Sequence, residues 1–182
     1  MRSALAVLVL ALAALAAGPA QSQAPRPSAE KVAAMQKLAA LMGGHWKGTG
    51  WWEFRPGTRS TFDSSETVTP RAGGMALAVL GRHTVNREGR EVVIHDAFGM
   101  LWYDEAGKRY RMKAATQAGH VSEFELDVDD TGYRWSHPSF DGKGTIRYRT
   151  TLTADTWLER GELSVDGAAW RPVFEMSLRR AN

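Results

Sequence analysis

Carboxylates on apolar strand faces and histidines are the side chains here whose types and spacing could carry chemistry. Glu159 shares strand parity with Trp157 and Leu163, and Asp96 lies between Ile94 and Phe98. A carboxylate turned into an apolar interior is costly unless it is paired or protonated. Such a group either anchors a ligand or acts as a general acid or base, or it makes a structural hydrogen bond at a bulge or rim. The five histidines are His45, His83, His95, His120 and His137. None stands in a His-x-His or His-Glu-x-x-His pattern, so no metal site is expected. His120 and Glu123, three apart on a strand, point to opposite faces. His83 and His95 are the best-placed pair, because a hairpin centred on Glu88 puts them on one face, diagonally adjacent. Ordinary polar histidine is the plain reading of that pair, and metal or heme ligation the sharper one.

Other chemistries lack their residues. With no Cys there are no disulfides, thiolate zinc sites, iron–sulfur clusters or thiol nucleophiles. There is no Gly-x-Ser-x-Gly elbow, phosphate loop or dinucleotide fingerprint. Lys and Arg number 23 against 20 Asp and Glu, a formal charge of +3. No concentrated basic face goes with that small excess, so no nucleic-acid partner is expected.

The elements that must position these groups begin with an address label. Met1-Arg2 followed by an Ala/Leu/Val run over 4–17 and Gly18-Pro19-Ala20 has the three-part pattern of a secretory signal peptide, residues 1–20. The run is too short for a spanning helix, which needs about 20 apolar residues, so no stable membrane insertion is expected after cleavage near Ala20 or Ser22. Export without cysteine suits a bacterial periplasm or secretion. Residues 21–27 form a polar linker, and 28–182 a single domain. Ser28 is the expected N-cap of a helix over 28–42, whose Val32, Met35, Ala39 and Met42 make an apolar stripe, with Gly43-Gly44 ending it.

From His45 onward the periodicity is two, and Gly- or Asp-rich turns recur at short intervals. Ten strands are predicted, near 46–54, 59–68, 75–86, 90–103, 108–116, 120–128, 132–137, 144–152, 156–165 and 170–179. No helix interrupts them, so the fold class is all-β: an antiparallel up-and-down meander that removes its edges by closing into a barrel. One register is legible in detail. Folding 108–116 onto 120–128 sets Lys113 against Glu123, Arg111 against Glu125 and Arg109 against Asp127, with Met112–Phe124 and Tyr110–Leu126 on the other face. Strand 90–103 is apolar on both faces, so its outer side needs cover from the helix or from a second subunit. Monomer and homodimer both remain open.

Ten tilted strands enclose a backbone radius of about 10 Å, which leaves a lumen unless side chains fill it. The expected ligand-lining residues are Trp52, Tyr110, Met112 and Phe124, together with Trp157, Glu159, Phe174 and Met176, all on inward parities. Trp170 falls on the same apolar parity as Phe174. No residue is assigned to catalysis or to a metal.

Gly44-His45-Trp46-Lys47-Gly48 at the first strand resembles the Gly-x-Trp opening of lipocalin-like barrels, in which a closing Arg, here Arg179 or Arg180, stacks on that Trp. Together with Tyr103-Asp104, the block 157–162 and the block 170–180, the chain resembles an uncharacterised bacterial family of secreted lipocalin-like (calycin) domains over about residues 38–180. That family is similar in architecture to the nitrobindins, ten-stranded barrels that bind heme through a His on the closing strand. Here the closing strand has no His, and Val173 stands near that place. The expectation is an exported, non-catalytic barrel binding a small apolar or planar ligand, with no cofactor. The alternatives are a heme protein using His83 or His95, a low-turnover enzyme using Glu159 or Asp96, and a structural or interaction module.

Overall fold

The computed structural model describes residues 26–139 and 141–181. The expected leader at 1–20 and most of the linker at 21–27 lie outside them. One helix, α1 (Ala29–Met42), precedes ten strands: β1 (Gly44–Trp52), β2 (Ser60–Arg71), β3 (Ala76–Arg87), β4 (Arg90–Asp104), β5 (Arg109–Thr116), β6 (Val121–Val128), β7 (Gly132–Pro138), β8 (Thr145–Leu152), β9 (Thr156–Ser164) and β10 (Arg171–Ala181). All neighbours are antiparallel, and β1 pairs with both β2 and β10, so the meander closes into a barrel. The predicted fold class and strand order are those observed. No described helix is long and apolar enough to cross a membrane.

Local chemistry sets the corners. The Ser28 side chain accepts a hydrogen bond from the Lys31 amide at 3.1 Å and caps α1. The chain then turns at Gly44, whose φ of +123° sets aside the space taken by the Arg180 guanidinium. A side chain there would meet Arg180 Nη1 at 2.5 Å. The β3–β4 hairpin turns on Glu88 and Gly89, both at positive φ, as a two-residue primed turn requires. At the seam, Trp46 is fully buried and Arg180 stacks on its ring at 4.1 Å. Arg180 also donates to the carbonyls of Gly43 and Ala154. It is therefore Arg180, not Arg179, that clamps helix end, first strand and last strand together.

The helix does not cover the outer face of β4, as one sequence expectation had it. Met35, Leu38 and Met42 enter the core with Trp46, Val68, Leu77, Leu101, Leu126, Tyr133 and Trp157, so α1 plugs one mouth of the barrel. Trp46 Nε1 donates to the Met42 carbonyl, Tyr103 Oη to Glu30, and Tyr110 Oη to the Ala34 carbonyl. Leu80, Phe98, Met100 and Val121 stay exposed on the outside.

Two bulges correct the assigned parities. In β4 the register steps between His83/Thr84 on β3 and their partners, which leaves Ile94 unpaired. Beyond it Leu101 is buried while Phe98 and Met100 are exposed, so the even-numbered residues face outward. Asp96 accordingly lies outside, opposite Arg82, and is not an inward carboxylate. In β10 a step between Pro172 and Phe174 sends Phe174, Met176 and Leu178 inward. It leaves Trp170 outside, under the Arg147 guanidinium at 3.9 Å, so Trp170 does not face the interior. The β5–β6 register is as predicted from Lys113↔Glu123 to Tyr110↔Leu126. Its ion pairs run diagonally, Arg111–Glu123 and Arg109–Glu125 at 2.6 Å each, because strand twist brings diagonal neighbours together.

Candidate functional site

The closed mouth and the open mouth of the barrel have different interiors. Near α1 the inward residues, aliphatic side chains with Trp46, Tyr103, Tyr110 and Trp157, pack against the helix. The middle and open half carry rings and polar groups. Trp52, Phe62, His83 and His95 form one run, with Phe62–His83 and His83–His95 stacked at 4.4 and 4.9 Å. Phe124, Trp135, His137 and Tyr148 form a second, with Trp135 and Tyr148 stacked at 4.3 Å. Phe174 touches both Phe62 and Tyr148 and joins the two runs.

One wall is built from small residues. Gly81 pairs with Ala97, and Gly99 with Ala114, on the inner faces of β3, β4 and β5. A Cβ added at Gly99 would meet only Val79 and the Met112 sulfur, at 3.6 Å or more. Ala97, Ala114 and Met112 are half-buried although their side chains face inward. The interior is therefore reachable beside this notch.

A second opening lies between β6 and β7. These strands pair only at Asp127↔Arg134 and Val128↔Tyr133, then part. Phe124, Trp135 and His137 face one another behind the split. A concavity of about 990 Å³ spans β5–β10 at this junction, lined by outward charged residues and by inward Leu126, Trp135, Tyr148 and Phe174. Its charged walls are ion-paired, as in Arg109–Glu125, Arg134–Asp127, Arg147–Glu162 and Arg160–Glu175. Paired surface charges of this kind are solvated and contribute little net energy, so the lumen is the site with unspent polar groups.

Two carboxyls face that lumen. Glu159 is 8% exposed, and its Oε2 lies 3.5 Å from Trp157 Nε1. Burial holds its carboxyl above the usual range, partly offset by Trp157, Trp135 and Thr150 as hydrogen-bond donors. Glu66, on β2, is equally buried. Burial pushes its carboxyl well above the usual range, and the charge of Glu159 adds to this. No hydrogen-bond or ion-pair partner of Glu66 exists among the described residues. Burial likewise raises the phenols of Tyr133 and Tyr148, with Glu159 as the next cause. His83 is lowered to about 4 by burial and then by the charge of His95. His95 is lowered too, chiefly by burial. Nδ1 of His83 is buried without a hydrogen bond of normal geometry. Among the described residues no three His, Cys, Asp or Glu are grouped to hold a metal.

All eight sequence-predicted site residues turn inward, but not to one place. Tyr110 and Trp157 belong to the packed end, bonded to α1 and set edge-on to Trp46 respectively. Met176 is buried, its sulfur accepting from Ser64. Trp52, Met112, Phe124, Glu159 and Phe174 line the accessible half. Sequence reasoning missed Glu66, although Phe62-x-Ser64-x-Glu66-x-Val68 alternates cleanly. Trp135 is not among the expected lining residues, and the bulge sets His83 directly opposite His95 rather than diagonal to it.

Heme held from the closing strand does not fit these residues. Val173 is an apolar, fully buried side chain, and the His83 ring lies between those of Phe62 and His95.

The fold has a solved counterpart. The chain is similar to the crystal structure of Rv2717c from M. tuberculosis. The TM-score is 0.59 at 14% identity, over 82% of this chain and 98% of that one. At that identity the likeness shows the barrel fold alone. No family model matches the chain, and no curated protein matches it.

Proposed function

We propose that this protein is an exported, lipocalin-like, non-catalytic barrel that holds a small apolar or planar ligand in the open half of its lumen. The observation that carries this reading is the notch of Ala97, Gly99 and Ala114, inward-facing yet half-exposed or roomy, set opposite a continuous aromatic lining. Binding sites are concave, largely apolar and supplied with few polar groups, and this lumen has that composition. The split between β6 and β7 supplies an entry route. Secretion rests on the leader pattern at 1–20, and the lipocalin or nitrobindin kinship on the resemblance given above.

The test is a fluorescence titration with N-phenyl-1-naphthylamine, a neutral planar probe, against wild type and Ala114→Phe. Saturable binding that Ala114→Phe weakens by about tenfold or more supports the reading. Equal binding by the variant, or none by wild type, contradicts it.

Glu159 favours a second reading, a slow acid–base enzyme working on a lumen-bound substrate. A carboxyl raised by burial, with the Tyr133 phenol in its field, is the equipment such a reaction uses. Turnover of a bound ligand that Glu159→Gln abolishes would select this reading over passive binding.

A further inference from the structure

The lumen as described is short of one kind of charge. Two carboxyls, Glu66 and Glu159, face it, and no Lys or Arg among the described residues is buried. Glu66 is more than nine-tenths buried and has no hydrogen-bond or ion-pair partner among the described residues. It lies against Gly81, where a methyl group would come within 2.8 Å of both carboxylate oxygens. Gly81 pairs with Ala97, so the carboxyl borders the small-residue notch. The other titratable groups turned to this space are Tyr133, Tyr148, His83, His95 and His137. The two tyrosines are neutral, and burial keeps His83 and His95 neutral. Neither pair supplies a cation.

An unpartnered buried carboxyl is ordinarily eliminated by mutation unless something completes it, since burial without a hydrogen bond destabilises the fold. The walls indicate what completes it. The Trp135–Tyr148 stack, Phe62 and Phe174 present π-faces to the same lumen. Rings of this kind attract cations, most of all when water is excluded.

Resting on the reading of the lumen as a ligand site, we propose that its ligand is a cation, an aromatic or amphiphilic amine whose protonated nitrogen is received by Glu66 and Glu159 while its apolar part fills the aromatic half. Burial favours the protonated carboxyl in the empty lumen, and pairing with an ammonium favours the ionised one. The proton goes to solvent, and the ammonium and carboxylate form a buried pair of the strong, charge-assisted kind. An anionic ligand of the same shape is repelled.

The test uses three matched probes on the intact protein: 1-naphthylmethylamine, 1-naphthylmethanol and 1-naphthoate. Calorimetry at pH 7 in phosphate and in Tris gives affinity and proton release. The amine is expected to bind about tenfold or more tighter than the alcohol and to release protons on binding. The alcohol releases none, and the naphthoate binds more weakly than either. Glu66→Gln and Glu159→Gln, which keep side-chain shape, each weaken the amine by about fivefold or more and leave the alcohol within about twofold. The proton-release measurement needs no variant and stands even where a variant fails to fold. Alcohol binding as tight as amine binding, or amine binding without proton release, overturns the proposal and leaves the lumen site intact. Failure of all three probes to bind overturns the lumen site and the proposal with it.

Discussion

Glu66 faces Gly81 across the β2–β3 ladder, and a side chain added at Gly81 would force the Glu66 carboxyl to move. A Cβ built at Gly81 lies 2.8 Å from each Glu66 carboxylate oxygen. The glycine is there to seat a carboxyl, which is an unusual use of an inward position in a barrel wall. Gly81→Ala should therefore destabilise the protein by about 1–3 kcal/mol, the usual cost of overpacking. In a Glu66→Ala background the same substitution should cost close to nothing. Urea unfolding of the four proteins of this cycle checks the coupling.

The two carboxyls should leave their mark on the pH dependence of stability. Both are raised in the folded state, so the fold holds more protons than the unfolded chain above the model-carboxylate value of 4.5. Their contribution is full below that value and is lost as pH rises toward their folded values. His83 has the opposite sign. Lowered from 6.5 to about 4, it contributes stability above 6.5 that is lost as pH falls through about 4. On the alkaline side the wild type should lose up to about 1.4 kcal/mol per pH unit for each carboxyl affected. The double variant Glu66→Gln/Glu159→Gln should lack this loss and keep only the histidine contribution, a gain in stability as pH rises to about 6.5. Thermal melts from about pH 5 to about pH 8 make the comparison. Parallel curves would mean that neither carboxyl is protonated in the fold.

Arg180 closes the barrel by three contacts at once, to the Trp46 ring and to two carbonyls. Arg180→Ala should cost about 1–3 kcal/mol. Arg180→Lys should recover only part, because a single ammonium does not reproduce a planar fork. Exposed Arg179, paired with Asp155 at 3.2 Å, should tolerate Ala within about 0.5 kcal/mol. Chemical denaturation of the three variants distinguishes the clamp from its neighbour.

The split between β6 and β7 should be the route of exchange. If the pairing Asp127↔Arg134 continued, Glu125 would stand opposite Ser136. The chain has no Cys, so Glu125→Cys/Ser136→Cys can be joined by a short thiol crosslinker without side reactions. Crosslinking should slow association of N-phenyl-1-naphthylamine by about tenfold while leaving its affinity within about threefold. Unchanged stopped-flow kinetics would assign entry to the open mouth instead.

The period-two pattern and the turn residues made ten strands, their order and their closure legible in the sequence. They also gave the β5–β6 register, because charges of opposite sign fall at matching positions there. The bulges were not legible. One unpaired residue at Ile94 reverses the parity of everything before it, and this turned Asp96 from an inward candidate into a surface residue. The step at Pro172 did the same to Trp170. α1 carries an apolar stripe that announces burial, but a stripe does not say whether it packs on a sheet face or in a barrel mouth. Of the site, Glu159 was found because it interrupts an apolar face next to Trp157. Glu66 was passed over because Ser64 beside it makes that face look merely polar.

The central claim is a ligand held inside the barrel, and the indole N–H signals report it most directly. Trp52 and Trp135 line the accessible half, whereas Trp51 stacks under Arg59 on the outside, Trp170 under Arg147, and Trp102 lies opposite Arg111 on the outer face. In a ¹⁵N–¹H spectrum titrated with N-phenyl-1-naphthylamine, the Trp52 and Trp135 indole signals should shift together and saturate while those of Trp51, Trp102 and Trp170 stay in place. Shifts confined to the outer three, or a spectrum that does not change, would contradict a ligand site in the lumen.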